Sequence, residues 1–219
     1  MAKRATQPRL PLSRERVLGA AIALADSSGI EAITMRRLGQ ELGVEAMSLY
    51  NHVTNKDDLL DGILDAVLTD YDLPSPATDW RAAVRTIAIS ANKTLRRHTW
   101  ASGLMDSRRS VGEGQLRYMN SLLGSLRAGG FSAEQTHHAY HVIDGHILGY
   151  TRRQVNFPIA AADLKTVAQS FLETLPADQY PHLVEHVIGH LDGTFESGGG
   201  FEFALDLILD GLEKFRDAG

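Results

Sequence analysis

Apolar residues along most of the chain recur every three or four positions, the spacing that gathers them on one face of an α-helix. Ser13 is a predicted N-cap of the first helix and Gly29 its end, and Thr34 and Asn55 precede later segments in the same way. We find no run that alternates as a half-buried strand does. Helices are predicted at residues 14–28, 35–42, 45–51, 56–71, 79–98, 114–128, 133–153, 161–174, 181–190 and 201–216. The predicted fold class is therefore all-α.

Residues 34–53, with the sequence TMRRLGQELGVEAMSLYNHV, form two short predicted helices joined at Gly43. Glycine can adopt the left-handed conformation that ends one helix and lets the next cross it, and Gly39 is small where the two would approach most closely. The outward face of the second helix would carry Ala46, Met47, Ser48 and Tyr50, with His52 at its end. This pattern is typical of a helix-turn-helix, whose second helix enters the major groove of DNA, although helix pairs in other bundles can share it.

Charge is distributed unevenly along the chain. The net charge is -5, yet residues 1–56 carry eight Lys or Arg against five Asp or Glu. Within the first sixteen residues, Glu15 is the single acidic residue among five basic ones, namely Lys3, Arg4, Arg9, Arg14 and Arg16. A basic amino end on an acidic body favours contact with phosphate, and a solvated basic tail is the alternative.

The composition excludes several classes of protein. The chain has no cysteine, which excludes disulfide scaffolds, thiolate metal sites and cysteine nucleophiles. No apolar run approaches the ~18 residues of a membrane span, and the first residues lack the apolar core of a signal peptide. The expected location is the cytoplasm, without membrane association. Neither a nucleophile–base pair nor a phosphate-binding glycine loop is evident, so no enzymatic activity and no cofactor are predicted.

The segment from Leu12 to about Leu68, above all GIEAITMRRLGQELGVEAMSLYNHVTNKDDLL, resembles the DNA-binding domain of the tetracycline repressor (TetR) family. The last predicted helix, FEFALDLILDGLEK, resembles the closing helix of the tetracycline repressor subgroup. The resemblance implies a basic flexible arm at 1–11, a three-helix DNA-binding domain at 12–56, and a larger helical domain at 57–219 for ligand binding and dimerisation. It also implies a ligand-responsive transcriptional repressor that binds a palindromic operator as a homodimer and is released by a small-molecule effector.

The resemblance assigns roles to side chains of the DNA-binding domain. Thr34 would cap its helix or touch a phosphate, and Arg36 would reach a base edge, since a guanidinium matches two acceptors of guanine. The base-reading residues would be Ala46, Met47 and Ser48, and the anchors on the DNA backbone would be Tyr50, His52 and Lys56. The tetracycline repressor has a Gln-Pro pair in place of Ala46-Met47. Because alanine cannot make a bidentate contact with adenine, the operator is expected to differ.

For the larger domain, the resemblance implies dimerisation through residues 133–153 and 201–216. The predicted effector-site residues are Trp100, Met105, Arg108, Tyr118, Leu122 and His141. Met105 takes the place of a histidine with which the subgroup binds a drug–magnesium chelate. Because a thioether does not ligate magnesium, the expected effector is instead an apolar molecule with one anionic group for Arg108.

Two sets of histidines support an alternative, a helical metal sensor or metal-dependent enzyme. His182, His186 and His190 repeat at four-residue spacing, as do His137 and His141, so each set shares a helix face. Imidazoles at this spacing can chelate zinc. Neither set has the glutamate that follows the first histidine of the zinc protease motif, so the metal hypothesis stays secondary to DNA binding.

Overall fold

The computed structural model describes residues 11–108, 111–157, 159, 162–194 and 199–218. Within these residues there are eleven α-helices, one 3-10 turn at Ile30–Ala32, and no strand, which confirms the all-α prediction. The helices are α1 Arg14–Ser28, α2 Met35–Leu42, α3 Ala46–Leu49, α4 Lys56–Thr69, α5 Trp80–Arg97, α6 Ala101–Ser107, α7 Glu113–Ala128, α8 Ala133–Val155, α9 Leu164–Thr174, α10 Pro181–Leu191 and α11 Gly200–Asp217. None of these described helices is long and apolar enough to span a membrane.

Side-chain caps fix the start of three helices in the amino-terminal part. The Ser13 hydroxyl accepts a hydrogen bond from the Arg16 backbone N–H at 3.2 Å and caps α1. The Thr34 hydroxyl does the same for Arg37 at 3.2 Å, and the Asn55 side-chain oxygen for Asp58 at 2.8 Å. Each of these oxygens satisfies a backbone donor that has no partner within its helix. The predicted caps are confirmed.

The chain divides into two compact units. The first comprises the chain up to Ser75 together with Ser90–Leu122, and the second comprises Pro76–Ile89 together with the chain from Leu123 onward. In the first unit, α1 packs against α2 and α4, and α4 packs against α6. Its fully buried core includes Val17, Ile33, Leu38, Leu49, Leu59 and Ile63. Side chains from all four of the first helices therefore meet in one core.

Polar contacts add to this packing within the first unit. The Asp26 carboxylate on α1 accepts a hydrogen bond from the Trp100 indole N–H at 2.7 Å, and His98 Nδ1 lies 2.9 Å from the same oxygen. Arg108, which follows α6, pairs with Asp57 at 3.0 Å and with Asp61, both on α4. These contacts tie α1 and α4 to the segment around α6.

In the second unit, α8 packs against α11 and α9 packs against α10. The buried face of α11 carries Phe201, Leu205, Leu209 and Leu212. The His146 ring of α8 stacks on Phe201 with centroids 4.6 Å apart, and its Nε2 lies 3.0 Å from the Phe201 carbonyl oxygen. Burial lowers the pKa of His146, while that hydrogen bond opposes the shift.

Candidate nucleic-acid interface and effector-site residues

The crossing of α2 and α3 is set by two glycines. Gly43 ends α2 in the left-handed conformation, with φ of 67°, and its N–H returns to the carbonyl oxygens of Gln40 and Gly39. A Cβ on Gly39 would lie 2.9 Å from the Val44 carbonyl oxygen and 3.3 Å from the Ala46 Cα. The helices therefore meet at van der Waals distance because position 39 has no side chain. This confirms the predicted hinge and the predicted close approach.

The short helix α3 is anchored on one side and exposed on the other. Leu49 is fully buried, whereas the Met47 side chain is 75% exposed and Tyr50 is 44% exposed. Ala46 and Ser48 flank Met47 with partial exposure. Large apolar and aromatic side chains on such a surface are available to a partner, and the major groove of DNA is wide enough to admit an α-helix. The helix is shorter than the predicted 45–51, since Tyr50 and Asn51 continue as a turn.

Arg36 and Lys56 lie at the starts of the neighbouring helices. Arg36 is exposed in the first turn of α2, and its guanidinium makes no hydrogen bond or ion pair with another described residue. Lys56 is the exposed first residue of α4. Both cationic groups are therefore free to contact phosphates or base edges. Thr34 is exposed beside Arg36, but its hydroxyl already serves as the cap of α2.

His52 closes this surface and is half-buried. Its carbonyl oxygen accepts a hydrogen bond from Arg14 at 2.8 Å, and the same guanidinium pairs with Asp58 at 2.7 Å. Asp58 also accepts from the Thr54 backbone N–H at 2.7 Å. The hydrogen bond from Arg14, followed by that from Thr54, lowers the pKa of Asp58 to about 2. This ionised network fixes the turn between α3 and α4. The predicted basic arm with Lys3, Arg4 and Arg9 lies outside the described residues.

The predicted effector-site residues are engaged mainly in packing and ion pairs. Leu122 is fully buried, and the buried Tyr118 ring meets Tyr71 edge to face at 5.5 Å. Trp100 donates to Asp26, and Arg108, expected to receive an anionic group of the effector, is already paired with Asp57 and Asp61. Met105 is half-buried on α6. His141 lies exposed on α8 in the other compact unit.

The histidine sets form pairs. The rings of His137 and His141 lie 4.6 Å apart by centroid, and those of His186 and His190 lie 4.8 Å apart. His182 is exposed in the first turn of α10. In the part of the chain that the structure describes, no group of three or more His, Cys, Asp or Glu side chains is placed to hold a metal ion.

The resemblance implied dimerisation through residues 201–216, but the sequence did not single out the most exposed apolar side chains of this segment. On α11, Phe203 is 68% exposed and Leu207 is 58% exposed, although both are large apolar residues. They lie four positions apart on a face separate from the buried stripe of Phe201, Leu205 and Leu209. The spacing of Phe203 and Leu207 is visible in the sequence. It does not stand out there, because apolar residues occur around most of this helix.

Comparisons with known proteins cover nearly the whole chain. Residues 17–63 match the model of bacterial regulatory proteins of the tetR family, and residues 73–216 match the tetracyclin repressor-like C-terminal domain. The chain is 32% identical to the HTH-type transcriptional repressor DrrR1 of Streptomyces coeruleorubidus, over 94% of this chain and 79% of that protein. It is 30% identical to the Tetracycline repressor protein class C of Escherichia coli, over 94% and 92% of the two chains.

A solved structure with the same fold is ActR from Streptomyces coelicolor. Its apo form matches with a TM-score of 0.78 and 28% identity, over 95% of this chain and 98% of ActR. Its complex with actinorhodin matches with a TM-score of 0.75 and 29% identity, over 94% and 99% of the two chains.

Proposed function

Because the chain belongs to the tetR family of bacterial regulatory proteins, which are transcriptional regulators and not enzymes, we propose that it is a ligand-responsive repressor acting in the cytoplasm. In this proposal it binds a palindromic operator in double-stranded DNA as a homodimer and leaves the operator when a small-molecule effector binds. The relatives include a repressor, and the ActR structures include a complex with a small molecule.

The observation that carries the DNA-binding proposal is the outward face of α3. A helix of four residues buries Leu49 and presents the exposed Met47 and Tyr50, and cations lie at the starts of α2 and α4. We assign base reading to Arg36, Ala46, Met47 and Ser48. Contacts with the DNA backbone are assigned to Thr34, Tyr50, His52 and Lys56. Met47 offers an apolar tip that suits the methyl group of thymine, and Arg36 suits guanine.

The homodimer proposal is supported by the exposed apolar face of α11. A two-fold pair of short recognition helices must be held about one DNA turn apart, ~34 Å, to read two half-sites. The solvent-exposed Phe203 and Leu207 are the side chains that a partner copy would cover. Association through this face places apolar area at the interface, as in other homodimers.

For the effector, the residues proposed from the sequence, Trp100, Met105, Arg108, Tyr118, Leu122 and His141, remain candidates. The ion pairs of Arg108 with Asp57 and Asp61 would have to open before its guanidinium could bind an anion. An effector that binds more tightly to a dimer shape unsuited to the operator lowers operator affinity by thermodynamic linkage. Effector and operator then shift the same equilibrium between dimer shapes in opposite directions.

The decisive experiment measures DNA binding against salt concentration. Fluorescence anisotropy with palindromic duplexes from the region upstream of the gene should give saturable binding that falls steeply with salt, because bound cations are released. Lys56→Ala should reduce the magnitude of the negative slope of log K against log salt by about 2, since a dimer loses two phosphate contacts. Lys165→Ala removes the same charge from the exposed surface of α9 and should leave the slope unchanged. Salt-independent or absent binding of every duplex would refute the proposal.

A further inference from the structure

An apolar cavity lies within the second unit, between the end of α8, α9 and α10. Its volume is about 480 Å³, which falls within the range of pockets that hold small organic molecules. Phe157, Val167 and Phe171 form much of its wall and are 49%, 42% and 43% exposed. A concave site lined by apolar side chains is the usual form of a binding site for a small organic molecule.

Three nitrogen-bearing side chains line the same cavity. Arg153 comes from the last turn of α8, and His186 and His190 come from α10. The two imidazoles lie four residues apart with ring centroids at 4.8 Å. The Arg153 guanidinium makes no ion pair or hydrogen bond with any other described residue. A guanidinium is charged at all relevant pH values and donates two parallel hydrogen bonds to a carboxylate. The cavity thus combines apolar walls with a cation that has no anionic partner among the residues described.

The histidine pair alone would also suit a divalent metal, since imidazoles at i and i+4 can chelate zinc. Two observations favour an anion over a metal. Arg153 lines the same cavity, and a fixed positive charge disfavours a second cation nearby. Moreover, within the described residues no third His, Cys, Asp or Glu joins such a pair. The same imidazoles can instead donate hydrogen bonds to an anion.

We propose that this cavity binds a small amphipathic acid. Its apolar body would pack against Phe157, Val167 and Phe171, and its ionised carboxylate would pair with Arg153 beside His186 and His190. In the proposed function such an acid would be an effector, and to that extent this inference rests on it. The cavity is distinct from the residues proposed above for the effector, none of which lines it.

The test compares two probes that share one apolar tail. Isothermal titration calorimetry of the full chain with octanoate should give saturable binding, and 1-octanol should bind at least about tenfold more weakly because it cannot form the charged contact. Arg153→Met keeps the apolar stem of the side chain and removes the charge. It should weaken octanoate binding about tenfold and change 1-octanol binding by less than twofold. Lys165→Met, which removes a charge on α9 outside the cavity, should change neither.

Three outcomes would overturn the inference: no saturable octanoate binding, equal binding of octanoate and 1-octanol, or unchanged octanoate binding in Arg153→Met. Tight zinc binding that disappears in His190→Gln, with octanoate unable to compete, would assign the cavity to a metal instead. Operator binding of each variant, measured without probe, reports separately on the proposed function. Retained operator binding also shows that each variant folds.

Discussion

At the scale of single residues, Gly39 has the clearest structural requirement. A Cβ there would meet the Val44 carbonyl oxygen at 2.9 Å and the Ala46 N and Cα at 3.2 and 3.3 Å, all of them backbone atoms that cannot rotate away. Gly39→Ala should therefore force α2 and α3 apart. We expect the free energy of unfolding, measured by urea denaturation, to fall by about 2 kcal/mol. Operator affinity should fall with it, because the position of α3 is disturbed.

Gly19 provides a matched control on α1. A Cβ there meets nothing within 4 Å, and the residue lies inside an exposed helical turn. Gly19→Ala should raise the free energy of unfolding by about 0.5–1 kcal/mol, because alanine loses less backbone entropy on folding. If the two substitutions destabilise the protein equally, steric contact at Gly39 is not what requires the glycine.

Asp58 gives the folded chain a pH dependence. The pKa of its carboxyl is lowered to about 2 by Arg14 and the Thr54 backbone N–H. A lowered pKa stabilises the folded state above the unfolded-state value near 4, and this contribution is lost as pH falls from about 4 towards 2. Because Arg14 is 46% exposed, screening reduces the contribution to about 1 kcal/mol. Asp58→Asn should therefore lower the free energy of unfolding at pH 7 by about that amount, and less towards pH 2.

The control for this prediction is Asp70→Asn at the exposed end of α4, which makes no ion pair with another described residue. Urea denaturation at several pH values should show parallel curves for wild type and Asp70→Asn. The curve of Asp58→Asn should converge on the wild-type curve only in acid. A constant difference across this range would mean that the Arg14 pair is not the source of the effect.

At the scale of elements, local signals account for the helices that the sequence predicted well. The starts of α1, α2 and α4 follow Ser13, Thr34 and Asn55, whose side chains cap them. By contrast, α6 was not predicted. Its sequence ASGLMDS contains a glycine and two serines and has no side-chain cap. Burial of Ala101 and Leu104 stabilises it, and tertiary packing of this kind cannot be read from helix propensity.

Long-range pairing explains the main difference between the predicted and the observed surroundings of Arg108. The exposed face of α3 could be predicted because its periodicity is local. The partners of Arg108 could not, because Asp57 and Asp61 lie 51 and 47 positions away in sequence. From the sequence, we expected the Arg108 guanidinium to be available to an anionic group of the effector. The fold instead brings two acidic residues of α4 to it, since α4 packs against α6.

The ion pairs of Arg108 with Asp57 and Asp61 are expected to stabilise the first turns of α4. Arg108→Met should lower the free energy of unfolding by about 1–2 kcal/mol, because Asp57 and Asp61 lose a charged partner. Hydrogen exchange should accelerate in the first turns of α4, as followed by mass spectrometry of peptides covering residues 56–66. Arg117→Met on the exposed face of α7 removes the same charge without a described ion pair and serves as the control. Equal exchange in both variants would show that Arg108 does not restrain α4.

At the scale of the whole molecule, α11 has three faces that differ in their contacts. One face buries Phe201, Leu205 and Leu209. A second face carries acidic residues that pair with arginines of α5, namely Arg85 with Glu202 at 2.6 Å and Arg81 with Asp210. The third face presents Phe203 and Leu207. Since the first two faces already have partners within the chain, the third is the face that we propose for contact with a second copy.

Leu207→Glu tests this assignment together with the need for a dimer. A carboxylate buried without a partner on each side of a two-fold interface should raise the dimer dissociation constant by about 100-fold or more, as measured by analytical ultracentrifugation. Operator affinity should fall in parallel, because a monomer reads only one half-site. Leu116→Glu makes the same change at a 52% exposed position on α7 and should leave both quantities unchanged. If Leu207→Glu remains dimeric, the association surface lies elsewhere; if it becomes monomeric yet binds the operator normally, the paired recognition helices are not required.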